Sequence, residues 1–384
     1  MSPFEFASAG RIVFGSGSVK SLPARALAFG KRALVVTGKN PERSAPLVQS
    51  LRDAGLELVC SSVAGEPRVQ DALDAVALGR ELGAELVVAI GGGSAIDLGK
   101  AAAALLANSE DPYEFLEVVG RARPLSKPAL ALVAIPTTAG TGAEVTKNAV
   151  LASPAHGVKA SLRHDSMLPA VALVDPELTL SMPPAVTAST GLDALTQCLE
   201  PYVSCQNNPL TDALALEGLQ RARSLRRAFQ QPDDLGARED MALCSLFGGL
   251  ALANAKLGAV HGFAAPIGGE FTSPHGAVCA RLLPLVMAAN VRALRERAPS
   301  SAVLPRFDVV AQALTGSSTA EAEDGIELVR ELCAELAIPG LGHYGMTEKD
   351  VASVAQKAAA ASSMKGNPLV LEHGELCDIL LRAL

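Results

Sequence analysis

The sequence contains no tryptophan, and aromatic residues make up only 3 % of its 384 positions. An aromatic platform for stacking bases or sugars is therefore a poor expectation. No basic block appears, and 33 Lys and Arg stand against 40 Asp and Glu, for a formal net charge of -7. Nucleic acid is excluded as an expected partner, because phosphate binding is driven mainly by Lys and Arg. The seven cysteines (Cys60, Cys198, Cys205, Cys244, Cys279, Cys333 and Cys377) are scattered and never form a CxxC pair. That excludes a thiolate metal cluster as an expectation and favours a reducing compartment. The N-terminus lacks a basic-then-apolar signal peptide. The longest apolar runs, such as Leu86–Ile90 and Ala101–Ala107, are too short to span a bilayer. A cytoplasmic protein without a membrane partner is the expectation.

What is present is aliphatic. Apolar residues reach 49 %, much of it alanine, and a chain of this length is expected to fold as two domains. Ile12–Phe14, Ala33–Thr37, Leu56–Cys60, Leu86–Ile90, Leu130–Ile135 and Val171–Val174 read as buried strands. Between them, Ala45–Ala54 and Gln70–Leu82 carry apolar residues at helical spacing. Such alternation predicts an α/β domain whose mostly parallel sheet is covered on both faces. After Pro183-Pro184 strand candidates vanish. Helical patterns follow over Leu192–Val203, Thr211–Phe229, Ala237–Ala255, Ala277–Leu294, Ala320–Leu336 and Glu348–Ala361. The predicted layout is an α/β domain over residues 1–182 and an all-helical domain over residues 183–384.

Strand Leu86–Ile90 runs into Gly91-Gly92-Gly93-Ser94-Ala95-Ile96-Asp97-Leu98-Gly99-Lys100. Three glycines allow a sharp turn and close approach of a ligand. Ser94 is expected as the helix N-cap, with Asp97 completing a capping box. A helix N-terminus behind a glycine loop at the carboxyl end of a strand suits a pyrophosphate. The spacing is not GxGxxG, since Ile96 stands where the third glycine belongs. A second loop, Pro136-Thr137-Thr138-Ala139-Gly140-Thr141-Gly142-Ala143-Glu144-Val145-Thr146, crowds hydroxyls at the end of another strand.

Together the two loops resemble those of the iron-containing (group III) alcohol dehydrogenases, relatives of dehydroquinate synthase and glycerol dehydrogenase. The resemblance continues through Phe14-Gly15-Ser16-Gly17, Asp175-Pro176, Thr190-Gly191-Leu192-Asp193-Ala194-Leu195-Thr196, Pro274-His275-Gly276 and Met364-Lys365-Gly366-Asn367-Pro368. It covers nearly the whole chain in order. It implies a Rossmann-like dinucleotide-binding domain, followed by a helical metal and substrate domain. It also implies an NAD(P)-dependent oxidoreductase interconverting a small alcohol and its aldehyde or ketone. By the same resemblance Gly91, Gly92, Gly93 and Ser94 hold the cofactor pyrophosphate, with Asp97 and Lys100 as the loop's charged residues. Thr137, Thr138 and Thr141 line the nicotinamide side, and Lys159 matches a lysine near the nicotinamide ribose.

The family holds Fe²⁺ or another divalent ion such as Zn²⁺ with one Asp and three His. Here Asp193, His261 and His275 are kept, while Gln197 takes the place of the first histidine. Asp193 and Gln197 lie four apart on one helix face, away from the apolar stripe of Leu192, Leu195 and Leu199. A glutamine oxygen is a poorer ligand than imidazole, so weakened metal affinity is expected. Many relatives carry a further histidine where this chain has Ala265, so a released proton must leave by water or a ribose hydroxyl. His156, His164, His343 and His373 fit no ligand pattern.

Gln197 also motivates a second expectation, a metal-independent reductase similar to maleylacetate reductase. A lyase resembling dehydroquinate synthase is weighed down by Gly191-Leu192-Asp193-Ala194-Leu195-Thr196 and Pro274-His275-Gly276. Substitutions at active-site positions leave an inactive dinucleotide-binding paralogue as a further alternative. Gly38 stands where many NAD-preferring relatives place an Asp, and Lys39 and Arg43 could pair with a 2′-phosphate, so NAD and NADP are both allowed. The family commonly forms homodimers, and Arg11–Phe14 is a candidate pairing edge.

Overall fold

The computed structural model describes residues 3–384. The chain divides into two units. One comprises Ser8–Thr138 and Gly142–Leu180; the other comprises the segment up to Ala7, Ala139–Thr141 and Ser181–Leu384.

The first unit carries β1 (Ile12–Phe14), α1 (Leu22–Leu27), β2 (Arg32–Thr37), α2 (Ala45–Asp53), β3 (Glu57–Ser62), α3 (Val69–Leu82) and β4 (Leu86–Gly91). It continues through α4 (Gly93–Ala107), β5 (Ala131–Pro136), β6 (Asn148–Ser153), β7 (Val158–Arg163) and β8 (Val171–Val174). Six strands pair in parallel in the order β1-β8-β5-β4-β2-β3. Every residue of β4 is buried, as expected of a central parallel strand covered on both faces. The chain steps from β2 outward to β3, then crosses to β4 on the other side of β2. The carboxyl ends of β2 and β4 therefore form the switch point where open α/β sheets bind ligands. At the other end of the sheet, Asp175 accepts hydrogen bonds from the Val19 (3.0 Å) and Glu177 (3.1 Å) amides, fixing the turn after β8 beside the one after β1.

The antiparallel pair β6–β7 is an addition that the strand pattern did not supply. Its inward residues, Ala149, Leu151, Ala160 and Leu162, alternate with partly exposed neighbours. The period-two signal is present, but two of those four positions are alanines, poor strand formers.

The second unit contains, among the described residues, only helices: α5 (Pro184–Val203), α6 (Pro209–Arg221), α7 (Leu225–Gln230), α8 (Leu235–Asn254) and α9 (Ala259–Glu270). These are followed by α10 (His275–Arg297), α11 (Leu304–Thr315), α12 (Ala322–Glu335), α13 (Val351–Ala360) and α14 (His373–Ala383). Pro184 starts α5 in the first turn, where its missing N–H costs nothing. Asn208 caps α6 by accepting from the Leu210 and Thr211 amides, both at 3.1 Å, while Thr211 Oγ1 accepts from the Asn208 amide. The single pattern over Thr211–Phe229 breaks into α6 and α7 across a tight turn at Ala222–Ser224.

Helices α9, α11 and α14 were absent from the helical pattern. For α9 the reason is composition: Gly262, Pro266, Gly268 and Gly269 make a weak helix on propensity alone. Tertiary packing overrides this by burying Val260, Phe263, Ala264 and Ile267. One helix, α10, is long and apolar enough to cross a membrane by composition, yet 78 % of its apolar window is buried within the protein. It serves as a core helix, lined by Val278, Leu282, Leu283 and Val286.

Candidate active site

In the helical unit, Asp193, Gln197 and Glu200 recur along one face of α5 at spacings of four and three residues. All three are buried. His261 enters from the first turn of α9, and His275 opens α10. Asp193 Oδ1 lies 3.5 Å from His261 Nε2 and 3.8 Å from His275 Nε2, and it has no hydrogen-bond partner. Gln197 Nε2 donates to the other carboxylate oxygen, Asp193 Oδ2, at 2.8 Å. Gln197 Oε1 is likewise buried and unpartnered.

Glu200 was not among the expected site residues. It accepts from His261 Nδ1 at 2.6 Å and from the Val260 amide at 2.7 Å. One carboxylate thus fixes the tautomer of His261, leaving Nε2 free to act as a ligand, and places negative charge at the N-terminus of α9. Asn367, from the late Met364-Lys365-Gly366-Asn367-Pro368 motif, accepts from the Ala259 amide at 3.2 Å and pairs with Asn290. That motif therefore holds the helix on which His261 rides. Glycine at 276 is a close-approach requirement. A Cβ there would come 2.5 Å from the Ser189 carbonyl oxygen of α5, forcing α10 and His275 away from Asp193.

Cys279 follows His275 by one helical turn, and its sulfur lies 3.6 Å from His275 Nε2. The ligating atoms of Asp193, His261, His275 and Cys279 all lie within 4.8 Å of one another. Cys279 is thus a candidate donor that the cysteine spacing did not point to. The signal was His-x-x-x-Cys on one helix face rather than a CxxC pair.

The electrostatics favour positive charge at this point. Cys279, and then Asp193, raise the His275 imidazole to about 9 against the opposing effect of burial. Burial would lower His261, but Cys279, Asp193 and Glu200 outweigh it and raise that imidazole well above its ordinary value. Burial would raise Asp193, yet the two histidines and Gln197 hold it below the ordinary carboxylate value. A buried carboxylate oxygen without a donor, facing two imidazole nitrogens, fits a divalent cation.

In the α/β unit the strand ends bring together Gly38 after β2, Gly91 at the end of β4 with Gly92, Gly93 and Ser94 after it, and Thr137 and Thr138 after β5. The Thr137 amide donates to the Gly91 carbonyl at 3.0 Å. A Cβ on Gly91 would lie 2.6 Å from the Ala95 Cβ and 3.3 Å from the Gly38 amide, so only glycine fits. Helix α4 begins at Gly93 with Gly92 as its N-cap and no side-chain cap. This corrects the expectation of a Ser94 cap, and Asp97 completes no capping box. Ser94, partly exposed, lies in the first turn, and the uncapped amide end suits a phosphate.

Asp97 and Lys100 are engaged inside the unit. Asp97 accepts from the Val150 amide at 3.1 Å. Lys100 is wholly buried, donating to Thr146 Oγ1 at 2.7 Å and the Asn148 carbonyl at 2.9 Å, with Asp97 at 3.6 Å. Together they tie α4 to β6. Lys159, on β7, pairs with Glu66 at 2.5 Å. Thr141 belongs to the segment grouped with the helical unit, where Gly140 packs closely on Thr190 of α5.

A glycine-lined helix N-terminus on a parallel sheet and a histidine–carboxylate cluster on a helical unit are the arrangement of a nucleotide-dependent enzyme with a candidate metal site. The family model for iron-containing alcohol dehydrogenase matches residues 9–176, and that for the C-terminal part of the Fe-containing alcohol dehydrogenase family matches residues 187–384. The chain belongs to the iron-containing alcohol dehydrogenase family. It is 37 % identical over 343 residues to the probable alcohol dehydrogenase EutG of Salmonella typhimurium, covering 88 % of this chain and 83 % of that one. It superposes on a 1,3-propanediol oxidoreductase crystal structure with a TM-score of 0.92 at 31 % identity, covering 100 % of both chains. A sulfoacetaldehyde reductase from Bifidobacterium kashiwanohense in complex with NAD⁺ matches with a TM-score of 0.88 at 27 % identity, covering 100 % of this chain and 99 % of that one. The protein is an NAD(P)-dependent oxidoreductase acting on alcohols, and the alternative of a lyase is set aside.

Proposed function

We propose that Asp193, His261 and His275 hold a divalent cation, Fe²⁺ or Zn²⁺, and that the enzyme interconverts a small primary alcohol and its aldehyde. The observation that carries this is the buried, unpartnered Asp193 Oδ1 between two imidazole Nε2 atoms. The names of the relatives, an alcohol dehydrogenase and a propanediol oxidoreductase, support the substrate class. When bound, the ion would polarise the substrate oxygen as a Lewis acid, and the nicotinamide would carry the hydride.

The chain's own residues prepare both groups. Glu200 holds the proton on His261 Nδ1 and so keeps Nε2 as the nitrogen that would ligate the ion. The Gln197 amide holds Asp193 Oδ2, which leaves Oδ1 directed to the histidines. Gly91, Gly92, Gly93 and Ser94 present backbone amides to the pyrophosphate, and Thr137 and Thr138 flank it. Asp97 and Lys100 serve by anchoring the helix behind that loop.

Gly38, Lys39 and Arg43 support a choice of NADPH over NADH. The position of β1 at the end of the sheet supports a homodimer paired through Arg11–Phe14. Seven free cysteines support residence in the cytoplasm. One observation favours the metal-independent reading: the Gln197 amide satisfies one Asp193 oxygen without any ion. Chelator-stripped protein assayed with and without added metal separates the two, since only the metal-dependent enzyme loses turnover on stripping.

A further inference from the structure

The loss of one histidine at position 197 leaves a three-residue ligand set, but a fourth donor is already in place. His275 and Cys279 lie four apart on α10, and so share one helix face. Cys279 is buried, with its sulfur 3.6 Å from His275 Nε2. In a tetrahedral zinc shell with ordinary bond lengths, an N···S edge is about 3.6 Å and an N···O edge about 3.3 Å. The sulfur–His275 separation matches the first edge. The Asp193 separations of 3.5 and 3.8 Å lie a few tenths of an ångström above the second, and all four ligating atoms fall within 4.8 Å of one another. Gln197 is the weaker claimant. Its N–H is committed to Asp193, and its free atom is a neutral amide oxygen.

On the reading that this centre holds a divalent cation, we propose that Cys279 replaces Gln197 as the fourth ligand, giving an Asp–His–His–Cys site that favours zinc over iron. On binding, the Cys279 S–H bond and any N–H bond at His261 Nε2 and His275 Nε2 are exchanged for bonds to the metal, and the protons pass to solvent. No oxidation or reduction is involved. A soft thiolate beside two imidazoles shifts selectivity toward Zn²⁺, whereas an all-oxygen and nitrogen set does not. Gln197 then acts as a positioning residue, steering Asp193 through its Oδ2.

The test uses the full-length protein, stripped by chelator and titrated anaerobically with Co²⁺. The expected result is one equivalent bound, with an intense near-ultraviolet sulfur-to-cobalt charge-transfer band. Cys279→Ser should bind at least about tenfold more weakly and lack the band, Gln197→Leu should keep it, and the double variant C279S/Q197H should regain affinity without it. X-ray absorption on the unmutated zinc protein needs no variant and should show one sulfur at about 2.3 Å. Cobalt bound without the band, or a zinc shell of nitrogen and oxygen alone, overturns the Cys279 assignment and leaves the divalent site standing. Failure of the unmutated protein to bind either metal overturns the divalent site itself, and the assignment with it.

Discussion

His261 Nδ1 donates to Glu200 Oε2 at 2.6 Å, joining α9 to α5 through a fully buried contact. The histidine expected to bind metal is thereby oriented by a carboxylate 61 residues away in sequence. Partners of this kind typically contribute 10- to 100-fold in metal affinity. Glu200→Ala should weaken zinc binding by a factor of roughly 10 to 100, read by competition with a chromophoric chelator. It should also lower stability, because the Val260 amide loses its acceptor.

The glycine loop makes a steric prediction. Gly91→Ala places a methyl group 2.6 Å from Ala95 Cβ and 3.3 Å from the Gly38 amide. Both neighbours are backbone or nearly so and cannot swing aside. The turn between β4 and α4 should open, and the dissociation constant for NAD(P)H should rise by roughly tenfold or more, an energy of about 1.4 kcal/mol. Fluorescence titration with the reduced coenzyme measures it directly.

Coenzyme choice can be tested where the fold leaves room. A Cβ on Gly38 would meet nothing within 4 Å. Gly38→Asp should therefore fold normally and repel a 2′-phosphate. The ratio of kcat/KM for NADPH to that for NADH should fall by at least about tenfold, roughly 1.4 kcal/mol of discrimination. An unchanged ratio would place the ribose elsewhere.

Stability should depend on pH through Glu144, which is buried near Lys100. Burial raises its carboxyl from 4.5 to about 7, opposed by Lys100. Below the unfolded value both states hold the proton and nothing is lost. Between pH 4.5 and about 7 the unfolded chain has released it while the folded chain keeps it, so stability falls as pH rises. Above that window the cost is complete, of order 1–3 kcal/mol. Glu144→Gln should flatten the slope, seen in urea denaturation at pH 5, 6 and 7.5.

The outline of the fold was legible because its strands are uniform. Leu86–Ile90 and Ala33–Thr37 are buried aliphatic runs that only a covered parallel sheet accommodates, and the glycines after them mark where the sheet changes direction. Asp193, His261 and His275 were legible through their motifs, and the structure brings them together. Glu200 was hidden because its meaning lies in a partner far along the chain. Helix α9 was hidden because its glycines and Pro266 speak against a helix until Glu200 and Asn367 satisfy its first amides. Cys279 was visible as a residue four after His275, but its significance depends on α5 and α9 arriving at the same point. Ser94 was misplaced for a local reason: Gly92 takes the cap position, and the helix starts before the serine.

A metal ion held by Asp193, His261 and His275 is proposed to carry the alcohol chemistry. The most direct measurement follows NADH and NADPH oxidation with short aldehydes on chelator-stripped protein, before and after anaerobic addition of Zn²⁺ or Fe²⁺. Turnover that is absent after stripping, returns with metal, and fails to return in Asp193→Ala is the predicted result. Equal turnover in the stripped and reloaded enzyme would contradict it.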